Sequence, residues 1–334
     1  MTVARPEIAD FQSASAAIES IAIRTPLVLS ELSPSHSAPL WLKLESMQPT
    51  GSFKIRGAAN ALSKLSDKEK RRGVVCCSTG NHGRALSYAA KMAGTTATVC
   101  LSSLVPDNKV AAIEKLGASV VRVGKSQDDA QRQVDVLVAD EGMVEVPPFD
   151  HFDVVAGQGT IALEILDEQP DIETLLVPLS GGGLIAGIAA AAKAIKPQIR
   201  VVGLSMERGA AMAASLEAGE PIVVNEFASL ADSLGGGIGL SNRNTFDTCR
   251  DLIDEVILVS EEEIYKGMRS LFFEDRLVAE GAAAVGHAAI IAEKIELTAP
   301  SAIIVSGRNV DTEQFAAVVA GDAIQLGDMT VTGD

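Results

Sequence analysis

Aromatic residues are scarce: one Trp, two Tyr and nine Phe make up 4% of the 334 residues. A chain this long must then fill its interior with Ala, Val, Ile and Leu. Cysteine is sparser still. Cys76, Cys77, Cys100 and Cys249 show neither framework spacing nor a C-x-x-C, which excludes a disulfide scaffold and a thiolate zinc site. No run reaches the ~18 apolar residues of a spanning helix. The best, Leu184 to Ile195, is short and carries Lys193. Positive charge is also in deficit, with 28 Lys and Arg against 44 Asp and Glu, a formal charge of −16. Such a surface repels polyphosphates and anionic membranes, so neither nucleic acid nor a membrane is expected as partner. A small anion could still bind where backbone N–H groups hold it. Glu7 and Asp10 interrupt any secretory pattern at the N-terminus, which makes a cytoplasmic location the expectation. His36, His82, His151 and His287 have no zinc-protease spacing, and no Gly-x-Ser-x-Gly elbow is present.

What is there is repetitive in kind. Short apolar runs alternate with Ala-rich stretches of helical period. Strands are expected at 40–44, 74–77, 96–101, 119–123, 174–179, 200–204, 255–259 and 302–306. Helices are expected at 82–93, 107–116, 127–141, 157–168, 184–195 and 261–273. Most of the strand runs do not alternate, which suits parallel strands buried on both faces, Cys76 and Cys77 included. The result is an open α/β architecture with ligands at the carboxyl ends of strands. The charged stretch Ser66–Arg72 and the Pro147-Pro148 turn bracket three such units. Residues 73–150 are therefore expected as a small lobe inserted into a larger one made of 1–66 and 151–334. The 25 residues after Asn309 are too few for a further regulatory domain.

Four segments stand at strand ends. Ser180-Gly181-Gly182-Gly183-Leu184 lies between an apolar strand and a helix. Its glycines let the backbone approach a ligand, and the helix start offers unpaired N–H groups and positive dipole. It is either an anion cradle or a bare turn; no Gly-Lys-Ser/Thr follows it, so it is not a Walker loop. Ser78-Thr79-Gly80-Asn81-His82 also precedes a helix and could hold a carboxylate or simply cap that helix. Ser52-Phe53-Lys54 leads into a third helix. A lysine is usually a solvated charge, whereas one removed from water becomes a nucleophile. Ser306-Gly307-Arg308-Asn309 ends the last strand, where Ser306 either meets a ligand or closes a turn.

In this order and spacing, the four segments resemble the fold-type II pyridoxal-phosphate enzymes, and more narrowly the serine/threonine dehydratase family. Arg24-Thr25-Pro26-Leu27, Lys43-Leu44-Glu45, Asn108-Lys109 and Ala156-Gly157-Gln158-Gly159-Thr160 carry the resemblance over nearly the whole chain. Ser205–Met212, Ser233–Gly239 and Arg308 are similar to hydroxyectoine-utilisation dehydratases. The fold implied is tryptophan synthase β-like, with two open, twisted, mostly parallel sheets and flanking helices. The activity implied is removal of the β-hydroxyl of a small amino acid, giving a 2-oxo acid and ammonia, by a homodimer.

The resemblance also implies roles. Lys54 would hold pyridoxal 5'-phosphate covalently, beside Phe53, and move the Cα proton. Gly181, Gly182, Gly183 and Leu184 would bind its phosphate, Asn81 its ring hydroxyl, and Ser306 would face its ring nitrogen. Ser78, Thr79, Gly80, Asn81 and His82 would hold the substrate carboxylate. Thr79 offers a hydroxyl that could support racemisation. Arg308 replaces a common glycine and would either assist an acidic substrate group or face solvent. Ser205 and Ala211 stand where acidic cation ligands are expected, so no metal is implied. Hydroxyectoine-derived, threonine, serine and hydroxyaspartate substrates all remain open, as does a non-catalytic α/β metabolite-binding protein.

Overall fold

The computed structural model describes residues 4–78, 80–105, 107–242 and 244–333. The chain opens with α1 (Ile8–Ile18), β1 (Leu27–Leu29), β2 (Leu40–Lys43), α2 (Lys54–Ser63) and α3 (Asp67–Arg72). Then come β3 (Val74–Cys77), α4 (Asn81–Met92), β4 (Ala97–Leu101), α5 (Asp107–Glu114), β5 (Ser119–Arg122), α6 (Gln127–Glu141) and β6 (Val144–Glu145). After α7 (Phe152–Glu168) follow β7 (Thr174–Pro178), α8 (Gly183–Ile195), β8 (Arg200–Met206), α9 (Ala211–Ala218), α10 (Asn244–Leu252) and β9 (Glu255–Val259). The rest is α11 (Glu261–Phe273), α12 (Gly281–Ile291), β10 (Ser301–Ile304), α13 (Thr312–Ala320), β11 (Ile324–Leu326) and β12 (Met329–Val331). Every strand expected from the sequence is present, within two residues at each end. Among the described residues no helix is long and apolar enough to cross a membrane.

The strands form a six-stranded sheet ordered β1-β2-β10-β7-β8-β9, a four-stranded sheet ordered β5-β4-β3-β6 and the β11-β12 hairpin. Within the two larger sheets only the β1–β2 pair is antiparallel. The four-stranded sheet is drawn entirely from residues 74–145, and the stretch Ser66–Arg72 is a short helix with a Ser66–Glu69 capping box. Burial on both faces holds for the inner strands β3, β7 and β10, whose residues are all buried. Alternate residues feed opposite cores: Leu175 and Val177 pack with α7 and α8, while Leu176 packs with α11 and α12. Cys76 and Cys77 divide in the same way across β3, and neither is in a disulfide. The edge strands β5 and β9 are partly exposed, because an edge has a neighbour on one side alone.

Helix α7 begins five residues earlier than its pattern suggested. Gly157 and Gly159, poor helix formers, both lie inside it. A Cβ on Gly157 would come within 2.5 Å of the Arg56 carbonyl, and one on Gly159 within 2.8 Å of the Gly187 carbonyl. Close approach of α2 and α8 selects glycine here, against helix propensity.

One buried ion network fixes the start of α2. Arg56 donates twice to Glu45, at 2.8 Å each, and twice to Glu164, at 2.6 and 2.9 Å. Lys43 donates to Glu164 at 2.6 Å and to the Thr25 carbonyl at 2.7 Å. Two cations therefore meet two carboxylates. Burial pushes the Glu45 carboxyl up, but Arg56, Thr25 and Lys43 together outweigh it and the net shift is down. Lys54 is two residues from this anchor.

Candidate active site

A cavity of about 700 Å³ opens at the carboxyl ends of β3, β7 and β10. Ser78, Gly80, Asn81 and His82 enter it after β3, Ser180 through Leu184 after β7, and Ser306 after β10. Phe53 and Lys54 line it from the start of α2. This is where the loops of an open α/β sheet collect ligands.

The glycine turn ends in α8, with Gly182 as N-cap at φ +88°, a left-handed conformation that favours glycine. The first N–H groups of α8 have no intrahelical acceptor and mark the turn as an anion seat. Gly181 and Gly183 have a further cause. A Cβ on Gly181 would lie 2.4 Å from the Phe149 ring, and one on Gly183 would lie 2.9 Å from the Phe149 Cα. Phe149 thus packs directly on the turn.

Lys54 is half-buried against the same segment. Its Nζ donates to the Pro148 carbonyl at 2.8 Å and sits 5.2 Å from the centre of the Phe53 ring. Burial lowers its pKa to about 8, against a smaller opposing pull from Glu280. At pH 7 roughly a tenth of such an amine is neutral, far more than for a solvated lysine. It is equipped to attack a carbonyl carbon.

Asn81 is the first residue of α4 and is buried. Its Nδ2 donates to Glu280 Oε1 at 2.8 Å, and its Oδ1 accepts from Asn309 Nδ2 at 2.6 Å. Burial lifts the Glu280 carboxyl to about 7, with Asp232 adding to the rise and the bonds from Asn81, Asn309 and Ser233 opposing it.

His82 lines the cavity, but its ring is committed elsewhere. Its Nε2 donates to the Val146 carbonyl at 2.7 Å, since a carbonyl can only accept. Its Nδ1 is buried and has no hydrogen-bond partner. Burial, together with the Lys54 charge, lowers its pKa to about 3, so the ring stays neutral. The unfolded His binds protons near 6.5 and the folded one does not. Stability present above pH 6.5 is therefore lost as pH falls toward 3, by at most about 1.4 kcal/mol per pH unit. His82→Gln should flatten the fall of melting temperature between pH 6.5 and 4. Parallel wild-type and variant curves would contradict the assignment.

The cavity gathers Phe53, Lys54, Ser78, Gly80, Asn81, His82, Gly181, Gly182, Gly183, Leu184 and Ser306, all of them singled out from sequence. Thr79 lies outside the described residues. Arg308 does not line the cavity, and its side chain is exposed. The reason is local: Gly307 bridges to Ser52 and the Arg308 N–H donates to the Gly51 carbonyl, which turns the chain outward after Ser306. Ser205 and Ala211 are buried in β8 and at the start of α9, and no cluster of three or more metal-ligating side chains stands among the described residues.

Several lining residues escaped sequence reasoning. Pro148 and Phe149 read only as a boundary, because a diproline signals a turn and not what packs on it. Glu280 was missed altogether, although a carboxyl between Ala279 and a Gly-Ala run was a usable signal. The loop 226–237 also contributes Glu226, Asp232 and Gly235 through Gly237.

The residues fit pyridoxal phosphate: an anion seat at a helix start, a half-buried amine of lowered pKa and a buried amide donor share one cavity. Residues 18–307 match the family model described as pyridoxal-phosphate dependent enzyme, and the chain belongs to that family. Within it, the relatives point to the serine/threonine dehydratase branch. A Sinorhizobium fredii protein bearing a threonine dehydratase name is 53% identical over 306 residues, covering 91% of this chain and 92% of its own length. The catabolic L-threonine dehydratase TdcB of Escherichia coli is 42% identical over 282 residues, 84% of this chain and 85% of that one. Among solved structures, maize serine racemase superposes with a TM-score of 0.88 at 32% identity, covering 95% of this chain and 98% of that one. The architecture is accordingly fold-type II, and the cofactor is pyridoxal phosphate.

Proposed function

We propose that the protein is a dehydratase, an ammonia-lyase acting on a small β-hydroxy amino acid of the threonine/serine type. The observation that carries this reading is the half-buried Lys54 amine, held beside a glycine-rich helix start and the Asn81 amide. When bound, pyridoxal phosphate supplies an aldehyde for the substrate amine and a conjugated ring that takes up the electrons left at Cα.

The chain's own residues do the rest. The Lys54 amine would hold the cofactor and would be the base that takes the proton from Cα. Gly181 through Leu184 bind the phosphate by backbone N–H groups, which needs no basic surface. Asn81 donates to the ring oxygen. Ser306 would lie toward the ring nitrogen, where a hydroxyl would not supply the charge of an Asp partner and would suit elimination. Backbone and side-chain donors from Ser78 to His82 hold the substrate carboxylate. Water leaves across Cα–Cβ and is taken back at Cα as ammonia departs, so the net products are a 2-oxo acid and ammonia. Residues 73–150 form the smaller lobe of this reading, with 1–66 and 151–334 as the larger. Lining residues from both surround the cavity.

A second reading concerns the substrate. Ser233 through Gly237, part of the resemblance to hydroxyectoine-utilisation dehydratases, line the cavity. That supports a hydroxyectoine-derived β-hydroxy amino acid as the natural substrate. The test is a 2-oxo acid assay of the holoenzyme across threonine, serine, 3-hydroxyaspartate and the hydroxyectoine-derived candidate. Turnover of threonine or serine supports the first reading, and a strong preference for the last supports the second. Cofactor-loaded protein that releases no 2-oxo acid from any of them would overturn both.

A further inference from the structure

Glu280 precedes α12 and is almost fully buried, yet it lines the cavity beside Asn81. Its Oε1 accepts from Asn81 and its Oε2 accepts from the Asn309 backbone N–H at 3.0 Å. The Asn309 side chain is itself fixed at both ends. Its Nδ2 donates to the Thr50 carbonyl at 2.9 Å, and its Oδ1 accepts from Arg84 Nη1 at 3.2 Å. A carbonyl can only accept and a guanidinium can only donate, so the Asn309 amide has one orientation. The same Nδ2 then donates to Asn81 Oδ1. Asn81 is thereby oriented in turn: its oxygen meets Asn309 and its NH2 meets the Glu280 carboxylate.

We propose that Glu280 and Asn309 are positioning residues for Asn81, holding its amide with the NH2 edge toward the cavity so that it donates to, and cannot accept from, the ring oxygen of the cofactor. The inference rests on the pyridoxal-phosphate reading of the site. An amide is nearly symmetric in shape, and its two ends are told apart by their partners alone. If the amide were reversed, its oxygen would face the Glu280 carboxylate and an anionic ring oxygen.

Ionised Glu280 accepts from Asn81, the Asn309 N–H and Ser233. Protonation turns one of its oxygens into a hydroxyl, a poorer acceptor, and so weakens the bonds it receives. Lys54, Asp232, Ser233, Asn81 and Asn309 are the groups that act on its charge. The hold on Asn81 should therefore weaken as pH falls below about 7.

The test measures the affinity of the apo-protein for pyridoxal phosphate by its visible absorbance, in a double-mutant cycle. Glu280→Gln presents an NH2 to one of two donors and should weaken affinity about tenfold, the cost of one unsatisfied buried group. Asn309→Asp, close to isosteric, removes the donor that meets Asn81 Oδ1 and should do the same. In an Asn81→Ala background, Glu280→Gln should change affinity less than about twofold, since no amide is left to orient. The wild type should lose affinity from pH 8 to 6 more steeply than Glu280→Gln. Equal losses in both backgrounds, or identical pH slopes, would overturn the positioning role. A wild type that takes up no pyridoxal phosphate would instead overturn the reading of the site itself.

Discussion

Lys54→Ala is expected to abolish 2-oxo acid release, by at least about 10³-fold, even with pyridoxal phosphate in excess. The side chain is asked for two things, covalent attachment of the cofactor and transfer of the Cα proton, and alanine can do neither. Its amine is poised for both: half-buried, lowered to about 8, and held by the Pro148 carbonyl beside the face of Phe53. Borohydride reduction of the wild-type holoenzyme should leave a pyridoxyl mass on the peptide containing Lys54, and the variant should leave none. Lys54→Arg keeps a cation but no usable nucleophile, so it should fail equally. Undiminished turnover by either variant would contradict the role, because a merely electrostatic lysine tolerates arginine.

The second large effect concerns stability. Arg56→Met should lower unfolding free energy by about 3–5 kcal/mol, read as a shift in denaturant midpoint at unchanged slope. The reason is what it leaves behind. Glu45 is fully buried and would keep only Thr25, at 2.6 Å, and Gln48, at 3.2 Å, as donors, while Glu164 would keep Lys43. Adding Glu45→Gln to Arg56→Met should recover part of the loss, since the orphaned charge goes with it. A loss under about 1 kcal/mol would show that water or the neighbours can satisfy Glu45 in place of Arg56. Because Lys54 begins the helix that Arg56 anchors, the variant should also bind the cofactor more weakly.

How far the sequence could be read depended on distance along the chain. Strand runs such as Thr174–Pro178 and Val74–Cys77 were legible because burial on both faces leaves an uninterrupted apolar signature. The turns at Asn81, Gly181–Leu184 and Ser306 were legible as candidates because each follows such a run directly. Helix boundaries were less so. The pattern started α7 at Gly157, five residues late, and the close approach of α2 and α8 explains why Gly157 and Gly159 sit within it. Arg308 shared its segment with Ser306 but turned away, since the backbone bonds of Gly51 and Ser52 decide its direction.

Lys54 shows the division most clearly. From sequence it was one lysine after a turn, raised above a surface charge only by its resemblance to a family motif. Its desolvation, which lowers its pKa, and its bond to Pro148, 94 positions away, come from distant segments, while Glu280 opposes the shift. The composition alone pointed to an aliphatic interior and a net acidic chain, with no polyanionic partner expected. Spacing singled out which strand ends carry candidate ligand turns. Tertiary structure decided which of those turns meet, that Glu280 and Phe149 join them, and that Arg308 does not. The physical reason is that apolar periodicity is a local property of the chain, whereas desolvation and hydrogen-bond partnership depend on what other segments bring within a few ångströms.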